Sequence, residues 1–294
     1  MTENGEEDRR NVPYHYYLVG VFDILGQGDD LAKMKYLPNS PEEWPQFNEL
    51  NRRTRQKVLE FRRNLLEMFR IVFNKHESQD SMQHLVSPPM EKLRKTPLGI
   101  QQFSDTTITF FRLDNQEING QAIFMTLFGS AAVMRWALSQ RISFRAGIAI
   151  GPASLITDHE IYGAALACAA SLEKKQGCPG IAVGDGLIEF VDSPLFGEST
   201  ELRASVKSFI KLAGGLQRLD YLGEPMRQLV RSMNPGEEMR HLNQEVESGR
   251  KFVEEELRRI KHAPDILDEE KRAELLRRYA DVKEYYENNM DRWT

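Results

Sequence analysis

The first structured stretch runs from Tyr14 to Leu25, where YHYYLVGVFDIL is aromatic and β-branched with one acid, Asp23, near its end. A short apolar run of this kind, stopped by Gly26-Gln27-Gly28, predicts a buried strand. Asp29-Asp30 then favours a helix start, and three prolines break residues 37–45. From Phe47 to Phe73, Val58, Phe61, Leu65, Met68, Phe69 and Val72 recur at three- and four-residue steps, which predicts a helix. Residues 76–97 are polar and proline-bearing and predict a long connection. A compact alternation follows. Gly99–Leu113 predicts two strands around a turn at Ser104-Asp105, and Gly120–Ser139 a strong helix. Ile142–Ile156 predicts a strand pair, Tyr162–Lys175 an amphipathic helix lined with small residues, and Ile181–Val183 a short strand. Val206–Leu212 and Gln217–Leu222 predict a final hairpin through Gly214-Gly215.

This order predicts an α+β fold, with helices on one face of a mostly antiparallel sheet. The charged stretches Glu237–Lys261 and Asp268–Arg292, split by Ala263-Pro264, predict an appended αα-hairpin. The expected division is a disordered leader at 1–13, a main domain at 14–224 with a helical insertion at about 40–97, and a helical hairpin at 235–294.

Composition narrows the function. Hydrophobic residues make up 40% of the 294, enough for a sizeable core. A net charge of −5 argues against a general nucleic-acid or anionic-membrane binder, though not against a local basic patch. No apolar run reaches membrane-span length, and the polar start lacks a signal-peptide core, so a soluble, cytoplasmic protein is expected. The two cysteines exclude a disulfide scaffold and a four-cysteine zinc site. Cys168 is expected in the core and Cys178 in a loop. The six histidines are scattered without metal-ligand spacing. Gly26-Gln27-Gly28 lacks the third glycine of a dinucleotide fingerprint. Arg52-Arg53-x-Arg55 and Arg62-Arg63 form a basic helix face, read first as solvated and second as a contact for a triphosphate or a partner.

Asp23 and Asp105 stand out because their neighbours are apolar. A carboxylate so placed is costly unless paired or bound to a metal. Two of them together suit Mg²⁺ ions bridging a nucleotide's phosphates. The plainer reading is that each caps a turn or a helix.

The order of motifs adds a resemblance. Val21-Phe22-Asp23-Ile24-Leu25-Gly26 resembles the first metal motif of class III nucleotidyl cyclases. Phe103-Ser104-Asp105 with Ile108-Thr109-Phe110-Phe111 resembles their second. Phe144–Gly151 resembles their Arg-x-Gly-Ile-x-x-Gly strand, Tyr162–Glu173 the helix after it, and Gly180–Val183 the next strand. Together these cover about residues 17–222. The resemblance implies a ferredoxin-like cyclase sandwich that pairs head to tail as a homodimer. It implies that Asp23 and Asp105 are catalytic. With the Ile24 backbone, they would hold two Mg²⁺ or Mn²⁺ ions per site. Leu25, Gly26, Gln27 and Lys211 would contact the phosphates, and Gln101 and Glu160 the base. The implied reaction turns a nucleoside triphosphate into a 3′,5′-cyclic mononucleotide and pyrophosphate. The departures are Ala167 and Ser171, at the positions of the family's transition-state Asn and Arg. Such departures resemble the bacterial antiphage pyrimidine cyclases of the Pycsar type, which make cyclic CMP or cyclic UMP. The alternative is a catalytically silent cyclase-like module that binds a nucleotide or a protein partner.

Overall fold

The computed structural model describes residues 14–74, 98–233, 237–262 and 269–293; the expected leader and the connection at 76–97 lie outside them. The described elements, in chain order, are β1 (His15–Ile24), α1 (Gln27–Lys33), α2 (Trp44–Asn74), β2 (Gly99–Phe103), β3 (Thr106–Arg112), α3 (Gln116–Ser139), β4 (Phe144–Thr157) and β5 (Glu160–Gly163). Next come α4 (Ala164–Gln176), β6 (Gly180–Val183), α5 (Asp185–Asp192), a 3₁₀ turn at Pro194–Phe196, α6 (Thr200–Ser208), β7 (Ile210–Ala213) and β8 (Leu216–Leu219). Three helices follow: α7 (Glu224–Met233), α8 (Glu237–His262) and α9 (Glu269–Met290).

The strands form one open sheet in the order β2-β3-β1-β4-β6-β8-β7, with β5 paired to β4. Only β4 and β6 run parallel; the other pairs are antiparallel. The fold is therefore α+β with a mostly antiparallel sheet.

Alternation along β1 builds two cores, because successive side chains of a strand point to opposite faces. Leu18, Phe22 and Ile24 enter the larger core, and Tyr17, Val19 and Val21 the smaller. The larger is covered by α2, α3, α8 and α9. The α2 stripe meets the sheet directly: the Phe61 ring lies 4.9 Å from that of Phe144, and Phe69 meets Phe22 edge-on at 6.2 Å. The smaller core is covered by α4, whose Ala165 and Ala169 let it lie close. Most helices thus share one face, as expected, and α4 adds a thin layer on the other.

Four details differ from the sequence reading. Ile142–Ile156 is no strand pair but part of one continuous 14-residue strand, β4. Its Gly147 marks a close approach rather than a turn, since a Cβ there would lie 2.1 Å from the Ala169 carbonyl oxygen of α4. Val206–Ser208 ends helix α6 instead of starting β7; Ser199 Oγ caps that helix by accepting the Leu202 N–H at 3.2 Å. The cysteines are reversed, Cys168 exposed and Cys178 buried. Position 168 lies one residue off the Ala165–Ala169 stripe, about 100° around the helix. Finally, α3 is apolar and long enough to cross a membrane, with a mean hydropathy of 1.4 over its best window, of which 83% is buried inside the fold. Apolar all round, it is a core helix.

The charged C-terminal helices belong to the main core. Val246, Phe252, Val253 and Ile260 of α8 and Tyr279, Val282 and Tyr286 of α9 all enter it. Beyond α9, Trp293 donates its indole N–H to the Leu222 carbonyl at 2.9 Å and lies 5.5 Å from the Arg135 guanidinium.

Candidate functional site

The antiparallel register of β1 and β3 sets Asp23 opposite Thr106, the first residue after the β2–β3 turn. Asp105 is in that turn. The two acids, far apart in sequence, therefore lie at the same edge of two neighbouring strands. Asp23 is 19% exposed, and its Oδ1 accepts a 2.8 Å hydrogen bond from Thr106 Oγ1. On its other side β4 presents Arg145 in register, and Arg145 Nη2 donates to Asp23 Oδ2 at 3.2 Å. Arg145 Nε in turn pairs with Glu173 of α4. That reach exists because Gly147, two residues on, admits the α4 backbone.

Glu173 is 6% exposed. Burial raises its carboxyl above the ordinary range; Arg145 opposes the shift and Asp23 adds to it. The result is a chain of charges, Asp23–Arg145–Glu173, in which one guanidinium serves two acids. The Asp105 carboxylate, by contrast, is half-buried and has no hydrogen bond or ion pair among the described residues.

The turns on either side are braced by α2. Arg62 Nη2 donates to the Ser104 carbonyl at 2.5 Å. Ser104 holds a left-handed backbone, φ 46°, where a residue with a Cβ is strained. Arg53 pairs with Asp30 of α1 at 2.7 Å. Burial alone would raise the Asp30 carboxyl, but Arg53 and then Lys33 outweigh it and hold it below the usual range. The basic face of α2 is therefore partly spent on these loops rather than left to solvent.

The remaining expected residues are scattered. Ile24 packs its side chain in the core and pairs with Phe144. Leu25 gives its N–H to the Ser143 carbonyl at 2.8 Å, so that donor is not free for a phosphate. Gly26, at φ 81°, turns the chain from β1 into α1, and Gln27 is buried. Gln101 and Glu160 lie close together, because Gln101 Oε1 accepts the Ile161 N–H at 3.4 Å. Lys211 lies four strands from β1, roughly 19 Å away at the usual strand spacing, and its ammonium pairs with the buried Asp220. One chain does not bring it to the Asp23 edge. Ala167 and Ser171 face solvent on α4.

Mg²⁺ is usually held by one or two carboxylates together with substrate oxygens, not by an all-protein cage. The Asp23 and Asp105 carboxylates fit that donor set. Among the described residues no group of three His, Cys, Asp or Glu forms a cage. A cation at Asp23 would share that carboxylate with Arg145. The residues the sequence reading missed are Thr106 and Glu173; Arg62 was read only as part of a basic helix face. The available signal was a charged residue in an apolar run, as in Arg145 of FRAGIAIG and Glu173 after ALACAASL.

No family model and no curated protein matches the chain. Solved structures do. The adenylyl cyclase CyaB from P. aeruginosa is 12% identical over 70% of this chain and 92% of its own, with a TM-score of 0.36. A bacterial light-regulated adenylyl cyclase is 13% identical over 75% of this chain and 99% of its own, TM-score 0.36. A class III adenylyl cyclase-like ATP-binding protein from Pseudomonas aeruginosa is 13% identical over 82% of this chain and 44% of its own, TM-score 0.35. Likenesses of this size leave the chain's activity to be argued from its own residues.

Proposed function

We propose that the chain is a metal-dependent nucleotidyl cyclase that converts a nucleoside triphosphate, CTP or UTP by preference, into a 3′,5′-cyclic mononucleotide and pyrophosphate. The observation that carries this reading is the register of Asp23 against Thr106, with the carboxylate of Asp105, unpaired among the described residues, in the adjoining turn. Asp23, Asp105 and the Ile24 carbonyl would hold Mg²⁺ or Mn²⁺. When bound, the cations supply charge neutralisation at the phosphates and acidify the attacking hydroxyl.

The chain's own residues have separate tasks. Thr106 and Arg145 fix the two oxygens of Asp23, so that carboxylate needs little reorganisation to bind. Arg62 holds the turn that carries Asp105. The reaction forms a bond from the 3′-oxygen to the α-phosphorus and breaks the α–β phosphoanhydride bond. Pyrophosphate leaves and the hydroxyl proton passes to solvent. Lys211, four strands from β1 within one chain, would be supplied by a second copy in a head-to-tail homodimer, together with Gln101 and Glu160. An antiphage signalling role is the setting in which a pyrimidine product fits.

A second reading has its own observation. Ala167 offers no side-chain donor and Ser171 only a neutral hydroxyl where phosphoryl charge would develop, and Arg145 already neutralises Asp23. A silent module that binds a nucleotide or protein partner would look the same.

The deciding experiment incubates the purified chain with ATP, GTP, CTP and UTP plus Mn²⁺ and reads products by mass spectrometry, beside Asp23→Ala and Asp105→Asn. A cyclic mononucleotide from the wild type alone is the expected result. No product from folded, dimeric wild type sinks the enzyme reading and leaves the silent module.

A further inference from the structure

At the far edge of the sheet, the β7–β8 register sets Lys211 directly opposite Arg218. Like charges facing each other across a hairpin repel. Lys211 is neutralised by Asp220, whose Oδ1 also accepts the Tyr285 hydroxyl of α9 at 2.9 Å. Arg218 has no such relief. Among the described residues its guanidinium has no hydrogen bond or ion pair, and its Nε is cut off from water without an acceptor.

Arg218 faces a cavity of about 600 Å³ between this hairpin and α9. That volume suits a ligand of nucleotide size. The opposite wall carries Arg292. The floor carries Gln176, which is 4% exposed and has an Oε1 with no donor. Buried polar atoms are normally satisfied, so an orphan acceptor on a residue that lines a cavity points to a donor on a ligand. Asp281 and Glu284 also line the cavity and offset Arg218 and Arg292, which disfavours a highly charged polyanion.

We infer that this cavity binds a nucleoside monophosphate. Its phosphate sits between Arg218 and Arg292, and an N–H of its base or an O–H of its sugar reaches Gln176. The ligand touches both the hairpin and α9, so its binding ties the C-terminal helices to the sheet. Lys211, assigned above to the triphosphate across the dimer, also lines this cavity, but the inference needs no reaction at the Asp23 site.

The test is calorimetric titration of the full chain with AMP, GMP, CMP and UMP, with CTP and inorganic phosphate as comparators. In metal-free buffer, where the Asp23 site lacks the cations that would hold a triphosphate, at least one monophosphate is expected to bind once per chain, with CTP and phosphate at least about 10-fold weaker. Arg218→Gln and Arg292→Gln should each weaken binding on the order of 10- to 100-fold, as for a lost charge-assisted hydrogen bond. Asp23→Ala should leave it unchanged. Should Arg218→Gln fail to fold, Arg292→Gln, on the opposite wall, tests the same contact. No binding of any monophosphate at millimolar concentration overturns the proposal. So does phosphate binding as tight as the nucleotide's, or binding that survives both arginine variants and disappears in Asp23→Ala.

Discussion

Replacing Arg145 by Met isolates the charge chain at the Asp23 edge. The guanidinium is 24% exposed, Asp23 19% and Glu173 6%, so the variant strands one nearly buried acid and one partly buried acid. Removing one partner of a fully buried pair costs about 3–5 kcal/mol. Water reaches both Arg145 and Asp23, which places the expected loss lower, at about 2–3 kcal/mol. Glu173 sets the pH dependence. Burial already raises its folded pKa, and losing Arg145 raises it further. A carboxyl with a raised folded pKa contributes stability below its unfolded value of about 4.3 and loses it as pH rises through the folded value. The deficit of Arg145→Met should therefore be largest at pH 8 and shrink toward pH 5. Glu173→Gln in the same chain should recover at least about half of it, because the neutral amide needs no cation. Urea unfolding followed by tryptophan fluorescence at both pH values gives the midpoints, provided the slopes match. A loss under about 0.5 kcal/mol at pH 8, or a double variant less stable than Arg145→Met, refutes the account.

Three further outcomes are expected. Ser104→Gly relieves the left-handed backbone at φ 46° and should raise stability by about 1 kcal/mol in the same urea assay; a loss would mean the Ser104 side chain contributes more than its strain costs. Trp293→Ala empties a buried site and removes the bond to Leu222, costing about 3–5 kcal/mol, with hydrogen exchange in α8 and α9 faster than in β1. The Tyr279 hydroxyl, 2.9 Å from Ser143 Oγ, is pushed up to about 12 by burial. Its folded value exceeds the usual 10, so its contribution holds below pH 10 and falls away between pH 10 and 12. Tyr279→Phe should lose less stability over that window, and equal losses would contradict the assignment.

The positions of both candidate aspartates were legible because a charge in an apolar run is conspicuous: Asp23 closes YLVGVFD and Asp105 opens TTITFF. The α2 stripe was legible for the opposite reason, its apolar residues recurring at helical steps. Harder to read was anything set by long-range register. That Arg145 faces Asp23 follows from the β1–β4 pairing, which no local pattern encodes. The glycines of β4 look like turn signals until α4 is seen resting on Gly147. In α4 the small residues are so frequent that the sheet-facing stripe is ambiguous by one position, which is why Cys168 reads as a core residue. The place of α8 and α9 was hidden by charge, because their outer faces are dense in Glu and Arg while the residues entering the core are widely spaced.

That late entry of α8 and α9 has a consequence for synthesis. The last strand of the sheet ends at Leu219, yet residues as far on as Trp293 complete the larger core. At ordinary elongation rates of about 5–20 residues per second, the ribosome needs roughly 4–15 s to add that stretch. During this interval Val133, Met134 and Leu138 of α3, which the completed fold encloses, lack the C-terminal helices that complete their core. The nascent chain is then an apolar client for holding chaperones, and a message truncated after β8 yields a product that aggregates instead of a smaller stable domain.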